Sequence, residues 1–299
     1  MFAQAGLKNW GRILLLGALW GASFMFIEFA IAGFTALWVA AIRITIAASV
    51  LCVVTYLAGT GLPDTRGPNA RHIWLSALGL GVFANAVPFA LLSWGQGYVT
   101  SGFAGVSMAA VPLIVLPLAH IFVPSDRLTV RKAIGFLIGF AGVALLVGKD
   151  AFVSSGTQIE SVGRLACFLA AASYACSSII TRRAPPVSHR SFSAAALLMA
   201  SAVSVGLALW FDGVPTEFPI GPVLATLYLG LFPTALATLL LVSVIREAGP
   251  SFLGLSNYQV PIWSVVFGVT LLGETMPPQL LPALGLILFG VAVSQKWRA

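Results

Sequence analysis

Residues 78–143 of the chain return, diverged, at 227–291. LGLGVFANAVPF at 78–89 aligns with LYLGLFPTALAT at 227–238, and GVSMAAVPLIV at 105–115 with GLSNYQVPIWS at 254–264. Gly81/Gly230, Phe83/Phe232, Gly105/Gly254, Ser107/Ser256 and Pro112/Pro261 share one offset, 149. Asp126/Glu274 and Gly142/Gly290 follow at 148. Such spacing is that of a duplicated helical half-protein. If each copy crosses a bilayer an odd number of times, the two copies lie upside down relative to each other, the usual plan of a secondary transporter.

Composition puts those helices in a membrane. Hydrophobic residues make up 59% of the 299 and charged residues only 8%, against about a quarter charged in soluble domains. Apolar stretches long enough to cross about 30 Å of hydrocarbon recur at 11–31, 34–58, 72–94, 101–123, 130–148, 162–182, 191–211, 219–244, 250–272 and 279–297. Strand-like alternation is absent, which excludes a β-barrel. The expected fold is an all-α integral membrane protein of ten transmembrane helices, arranged as two inverted five-helix repeats around a central cavity. Residues 1–148 form the first repeat, 149–161 an external linker and 162–299 the second repeat.

Charge orients this arrangement. Of the 16 Lys and Arg residues, Lys149 and Arg164 fall on one side and Arg43 within a span; all the others fall on the opposite side or at the ends. The positive-inside rule then places both termini in the cytoplasm. The net charge of +7 is a topology signal, so no nucleic-acid partner is expected. Lys8, Arg12, an apolar run and Ala30-Ile31-Ala32 imitate a signal peptide. The run is long for that role and Glu28 interrupts it, so it reads as a retained first span.

Cys52, Cys167 and Cys176 lie within spans without metal spacing, and His72, His120 and His189 are scattered. Neither a metal site nor a cofactor is expected. A P-loop signature is also missing, so nothing in the chain points to ATP-driven transport.

Polar groups at membrane depth must face protein or water, which selects the candidate cavity residues. Trp20, Asn85, Met108, Tyr174, Ser177, Asn257, Tyr258 and Trp263 are the expected substrate-binding set, drawn from spans one, three, four, six and nine. Trp20-x-x-Ser23 and Tyr174-x-x-Ser177 occupy similar places in spans one and six. Each aromatic alone also fits an interfacial belt. Pro112 and Pro261, matched in the two copies, are expected to bend spans four and nine. Arg43 is the sole cation within a span, and Glu28 is the nearest acid in depth. A structural contact of Arg43 with Glu28 or a carbonyl is the expected arrangement; binding of a substrate carboxylate is the alternative. With no acid at mid-membrane, a proton relay has no evident carrier.

LLGALWGASFMFIEFA in span one, AAIRI around Arg43, GFAGVSMAAVPLIVLPLAHIF followed by Asp126, and SFLGLSNYQVPIWSVVFGVTLLGE resemble the drug/metabolite transporter superfamily, with two EamA-type repeats. Within it the chain is similar to the YddG-type aromatic amino acid exporters. The family's usual Gly-Glu pair is replaced by PSDRL at 124–128 in the first copy. The resemblance implies a monomeric, multi-pass inner-membrane exporter of amino acids, aromatic and other neutral ones included, working by alternating access in a bacterial plasma membrane. A carrier of the same fold for nucleotide sugars, organophosphates or cationic drugs is the alternative. Intramembrane enzyme activity would need a nucleophile–base pair that the sequence does not offer.

Overall fold

The computed structural model describes residues 6–95, 97–99, 101–148, 156–271 and 279–294, and all regular structure among them is helical. Lys149, Asp150, Glu274, Lys296, Trp297 and Arg298, as well as most of the 149–161 linker, lie outside these residues. The helices are α1 (Leu7–Ile31), α2 (Ala36–Leu57), α3 (Ala70–Gly95), α4 (Ser101–Ala109), α5 (Val111–Phe122) and α6 (Val130–Val147). They continue with α7 (Gln158–Arg183), α8 (His189–Asp212), α9 (Ile220–Ala248), α10 (Pro250–Leu271) and α11 (Leu280–Ser294).

Among the described residues 7 helices are long and apolar enough to cross a membrane: α1, α2, α3, α6, α7, α8 and α9. Ser107–Phe122 and Leu280–Ser294 are apolar but shorter. Helix α10 has the length, at 22 residues, but carries Ser256, Asn257, Tyr258 and Gln259 at its centre. Ser256 and Tyr258 there are fully buried, so protein rather than lipid surrounds this polar turn.

Packing repeats with the sequence. Helix α2 lies along α8, and α6 along α11. Helix α3 packs on α7 and α8, while its copy α9 packs on α1 and α2. The seam between α6 and α11 is a backbone contact. A Cβ at Gly290 would lie 2.5 Å from Gly139 N and 2.6 Å from Gly135 O, so only small residues permit that approach.

Both copies of the third span contain a π-helical turn, at Val82–Ala86 in α3 and Leu231–Leu236 in α9. Glycine precedes each. A Cβ at Gly81 would strike the Ala196 carbonyl of α8, and one at Gly230 would lie 2.7 Å from Ile46 Cβ and 3.0 Å from the Arg43 carbonyl of α2. The matched glycines of the repeat thus let each bulged helix touch the backbone of the opposite copy. A π-turn leaves carbonyls out of the regular ladder, a common feature of functional sites. The Phe83 carbonyl accepts from Ser173 Oγ at 2.9 Å, and the Leu229 carbonyl from Thr234 Oγ1 at 2.7 Å.

The two matched prolines sit in differently divided spans. The chain breaks between α4 and α5 at Ala110, two residues before Pro112. Pro261 instead lies within the continuous helix α10. Gly21 of α1 sits so close to α10 that a Cβ there would lie 2.6 Å from Trp263 Cβ and 3.0 Å from the Val260 carbonyl. That contact sets α1 directly against α10 on both sides of the proline.

Candidate functional site

Where the two copies meet, side chains from both enclose a cavity of about 110 Å³. Its walls follow helical periodicity. Helix α1 gives Trp20, Ser23 and Ile27, and α10 gives Leu253, Asn257 and Val260. Helix α7 gives Tyr174, Ser177 and Ser178. The bulged helices supply Asn85 and Phe89 from α3, and Pro233, Ala237 and Thr238 from α9. Met108 and Val111 come from the broken fourth span, and Arg43 from α2. No Asp, Glu or His is among these lining residues.

Local hydrogen bonds explain how several of them are held. Ser23 Oγ donates to the Trp20 carbonyl at 2.7 Å, and Ser177 Oγ to the Tyr174 carbonyl at 2.8 Å. The same bond in α1 and α7 is the physical content of the Trp-x-x-Ser and Tyr-x-x-Ser correspondence. Arg43, 4% exposed, donates from Nε to Thr234 Oγ1 at 3.0 Å. Its guanidinium lies 4.1 Å from the centre of the Phe89 ring, a cation–π contact. Thr234 uses its hydroxyl proton on Leu229 and a lone pair on Arg43. Asn85 is 3% exposed, and its Nδ2 has no hydrogen-bond partner among the described residues.

Trp20, Asn85, Met108, Tyr174, Ser177 and Asn257 therefore all face the cavity. Tyr258 and Trp263 do not. Neighbouring residues on a helix point about 100° apart, so Tyr258 turns away from Asn257 and is fully buried against α6. Its hydroxyl donates to the Phe136 carbonyl at 2.8 Å, and Gly139 makes room for its ring. Trp263 packs on Gly17 and Gly21 of α1 and stacks on Phe267. Glu28 is not the partner of Arg43: it is exposed, while the guanidinium is engaged by Thr234 and Phe89. Pro112 lies beside the cavity, its Cβ against Gly254, where an added Cβ would come within 3.1 Å.

Away from the cavity, the structure gives Asp126 a role that sequence reasoning did not assign. Its Oδ1 accepts from Lys132 Nζ at 2.6 Å and its Oδ2 from Ser251 N, in the first turn of α10, at 3.0 Å. Gly249, with φ +99°, brings the chain so close that a Cβ would lie 3.2 Å from Oδ2. The paired acids Asp126 and Glu274 were the available signal. On the same side Arg182 donates to the carbonyls of Ile245 and Arg246, and Arg246 to that of Val187 at 3.0 Å. These bonds tie α7, α9 and the start of α8 together.

Two related helical halves enclosing a shared cavity define a membrane transporter of two-repeat design. The sequence profile of the EamA-like transporter family matches residues 10–148 and 161–295; the chain belongs to that family, and with it to the drug/metabolite transporter superfamily. Relatives include an uncharacterized inner membrane transporter, YedA, of Escherichia coli K12, 28% identical with 96% of this chain and 90% of the relative covered. An uncharacterized transporter of Archaeoglobus fulgidus is 23% identical over 98% and 100% of the two chains. A probable terminal-alkyne amino-acid exporter of Streptantibioticus cattleyicolor is 24% identical over 96% and 93%. A solved crystal structure, 24% identical, superposes with a TM-score of 0.80 over 98% of each chain, which supports the fold.

Proposed function

We propose that the protein is a secondary transporter that exports amino acids, aromatic and other neutral ones, across a bacterial inner membrane by alternating access. The carrying observation is the cavity between the copies, lined by Trp20, Tyr174, Asn257 and Met108 with one cation and no acid. Alternating access places substrate at such a repeat interface. Aromatic faces suit an apolar side chain, and hydroxyl and amide groups suit the ammonium and carboxylate. Size is compatible: a cavity of about 110 Å³ has room for several waters and so for a small solute such as an amino acid. The name of the Streptantibioticus relative points the same way.

The membrane arrangement that accompanies this reading has ten spans, with α4 and α5 forming one of them. The repeats are inverted and both termini cytoplasmic, on the strength of the charge asymmetry. A monomer is sufficient, since both halves of the cavity come from one chain. Purified protein in liposomes preloaded with unlabelled compounds tests the reading by counterflow. Labelled phenylalanine or leucine is expected to exchange and labelled nucleotide sugar is not. Exchange of the nucleotide sugar alone would select the alternative carrier class.

A further inference from the structure

We infer that Arg43 and Asn85 form a subsite for the carboxylate of a monocarboxylate substrate, which makes Arg43 the residue that sets substrate charge. The inference rests on the cavity being the transport site and names the chemistry it selects. It comes from a break in the repeat. Gly230 of α9 packs on the Arg43 carbonyl, and Gly81 of α3 packs on the Ala196 carbonyl. Arg43 and Ala196 are thus counterparts, as are Thr234 and Asn85, which share the offset of 149. In one copy the arginine reaches the bulge and bonds Thr234. In the other an alanine has no group to offer, and Asn85 Nδ2 is left buried without a partner.

The arginine is incompletely used as well. Thr234 occupies only Nε, and Phe89 lies 4.1 Å from the guanidinium carbon. The two terminal Nη groups have no protein acceptor among the described residues, although Arg43 is 4% exposed and lines the cavity. An arginine fixed through Nε offers its remaining N–H pair for a bidentate bond to a carboxylate. These donors open onto the cavity, and a cation there is complemented by an anion that accepts from both. A single lining cation and no acid match one negative charge. A phosphate, at about −1.5 to −2, would be under-neutralised. Tyr174 lines the same cavity, which sets the subsite beside the aromatic wall.

Ligand-dependent thermal stabilisation of the purified full-length protein tests the assignment. The probes are phenylalanine, phenylalaninamide, phenethylamine and 3-phenylpropionate, with a matching leucine series. Both carboxylates are expected to bind the parent, with the amide and the amine at least about tenfold weaker. Losing a charged hydrogen-bond pair in Arg43→Gln should weaken the acids roughly 10- to 100-fold and leave the amide unchanged. Arg43→Lys should retain part of the preference. Equal binding of acid and amide by the parent, an unchanged preference in Arg43→Gln, or no binding of any acid would overturn the subsite. The first two outcomes leave amino acid export standing if counterflow occurs. Binding and exchange of 3-phenylpropionate but not of phenylalanine would instead uphold the subsite and end the amino acid reading. If Arg43→Gln fails to fold, the parent's acid–amide comparison and Arg43→Lys decide the matter.

Discussion

Replacement of Asp126 by Asn keeps the side chain's shape and removes its charge. Asp126 and Lys132 are 3% and 5% exposed, and their charged atoms are 2.6 Å apart. At an effective dielectric of 20, the Coulomb attraction at that distance is about 6 kcal/mol, part of it offset by desolvation. Removing one member of a buried pair typically costs about 3–5 kcal/mol; Lys132 keeps its bond to the Arg127 carbonyl at 2.9 Å, so the lower part of that range applies. The bond from Ser251 N at 3.0 Å weakens too, as a carboxylate at a helix N-terminus becomes an amide. Asp126→Asn should therefore lower the melting temperature in detergent by on the order of 10 °C. In Asp126→Asn/Lys132→Met both members of the pair are gone, so the double variant should lose less than the sum of the single losses. Thermal unfolding of the four proteins completes the cycle. Additive losses, or an Asp126→Asn variant as stable as the parent, would refute the pairing as the anchor of α10.

Three further outcomes are expected. Gly290→Val places a Cβ 2.5 Å from Gly139 N, where only backbone could yield; a loss of about 1–3 kcal/mol or more should appear as lowered thermal stability of the folded protein. In a background lacking Cys52, Cys167 and Cys176, single cysteines at the exposed positions Thr157 and Ser188 should react with an impermeant thiol reagent from opposite sides of the membrane. Because no Asp or Glu is among the lining residues, amino acid flux in liposomes should run down its own gradient without an imposed proton gradient. Strict dependence on that gradient would point to an overlooked coupling group, with His120 the first to examine.

The repeat was legible because duplication preserves positions where backbones touch. Gly81 and Gly230 mark the bulged helices, and each sits against the opposite copy. Periodicity within helices holds part of the site as well. On α10 the lining residues Leu253, Asn257 and Val260 form one stripe at i, i+4 and i+7. Tyr258 and Trp263 fall off that stripe, and helical geometry applied from Asn257 excludes them. The partner of Arg43 was beyond reach for another reason. Depth in the membrane suggested Glu28, but lateral position depends on which helices pack together. Only the contact of α2 with the bulge of α9 brings Thr234 to the guanidinium. The π-turns themselves have no sequence signature beyond the glycines that precede them. Pro112 and Pro261, matched in sequence, differ in setting: the helix breaks shortly before the first and continues through the second.

The central claim is that the cavity between the copies is the substrate site, and counterflow by its variants tests this most directly. Asn257→Ala and Trp20→Ala each remove a contact group from the wall without touching the α6–α11 seam. A lost hydrogen bond or anchor costs about 1–3 kcal/mol, a roughly five- to hundredfold weaker interaction. Labelled amino acid exchange by these two proteins, reconstituted at equal folded amounts, should fall by a factor in that range. Parent-like exchange in both, together with loss of exchange on replacing lipid-facing residues of α6 and α11 in proteins that remain folded, would contradict the account.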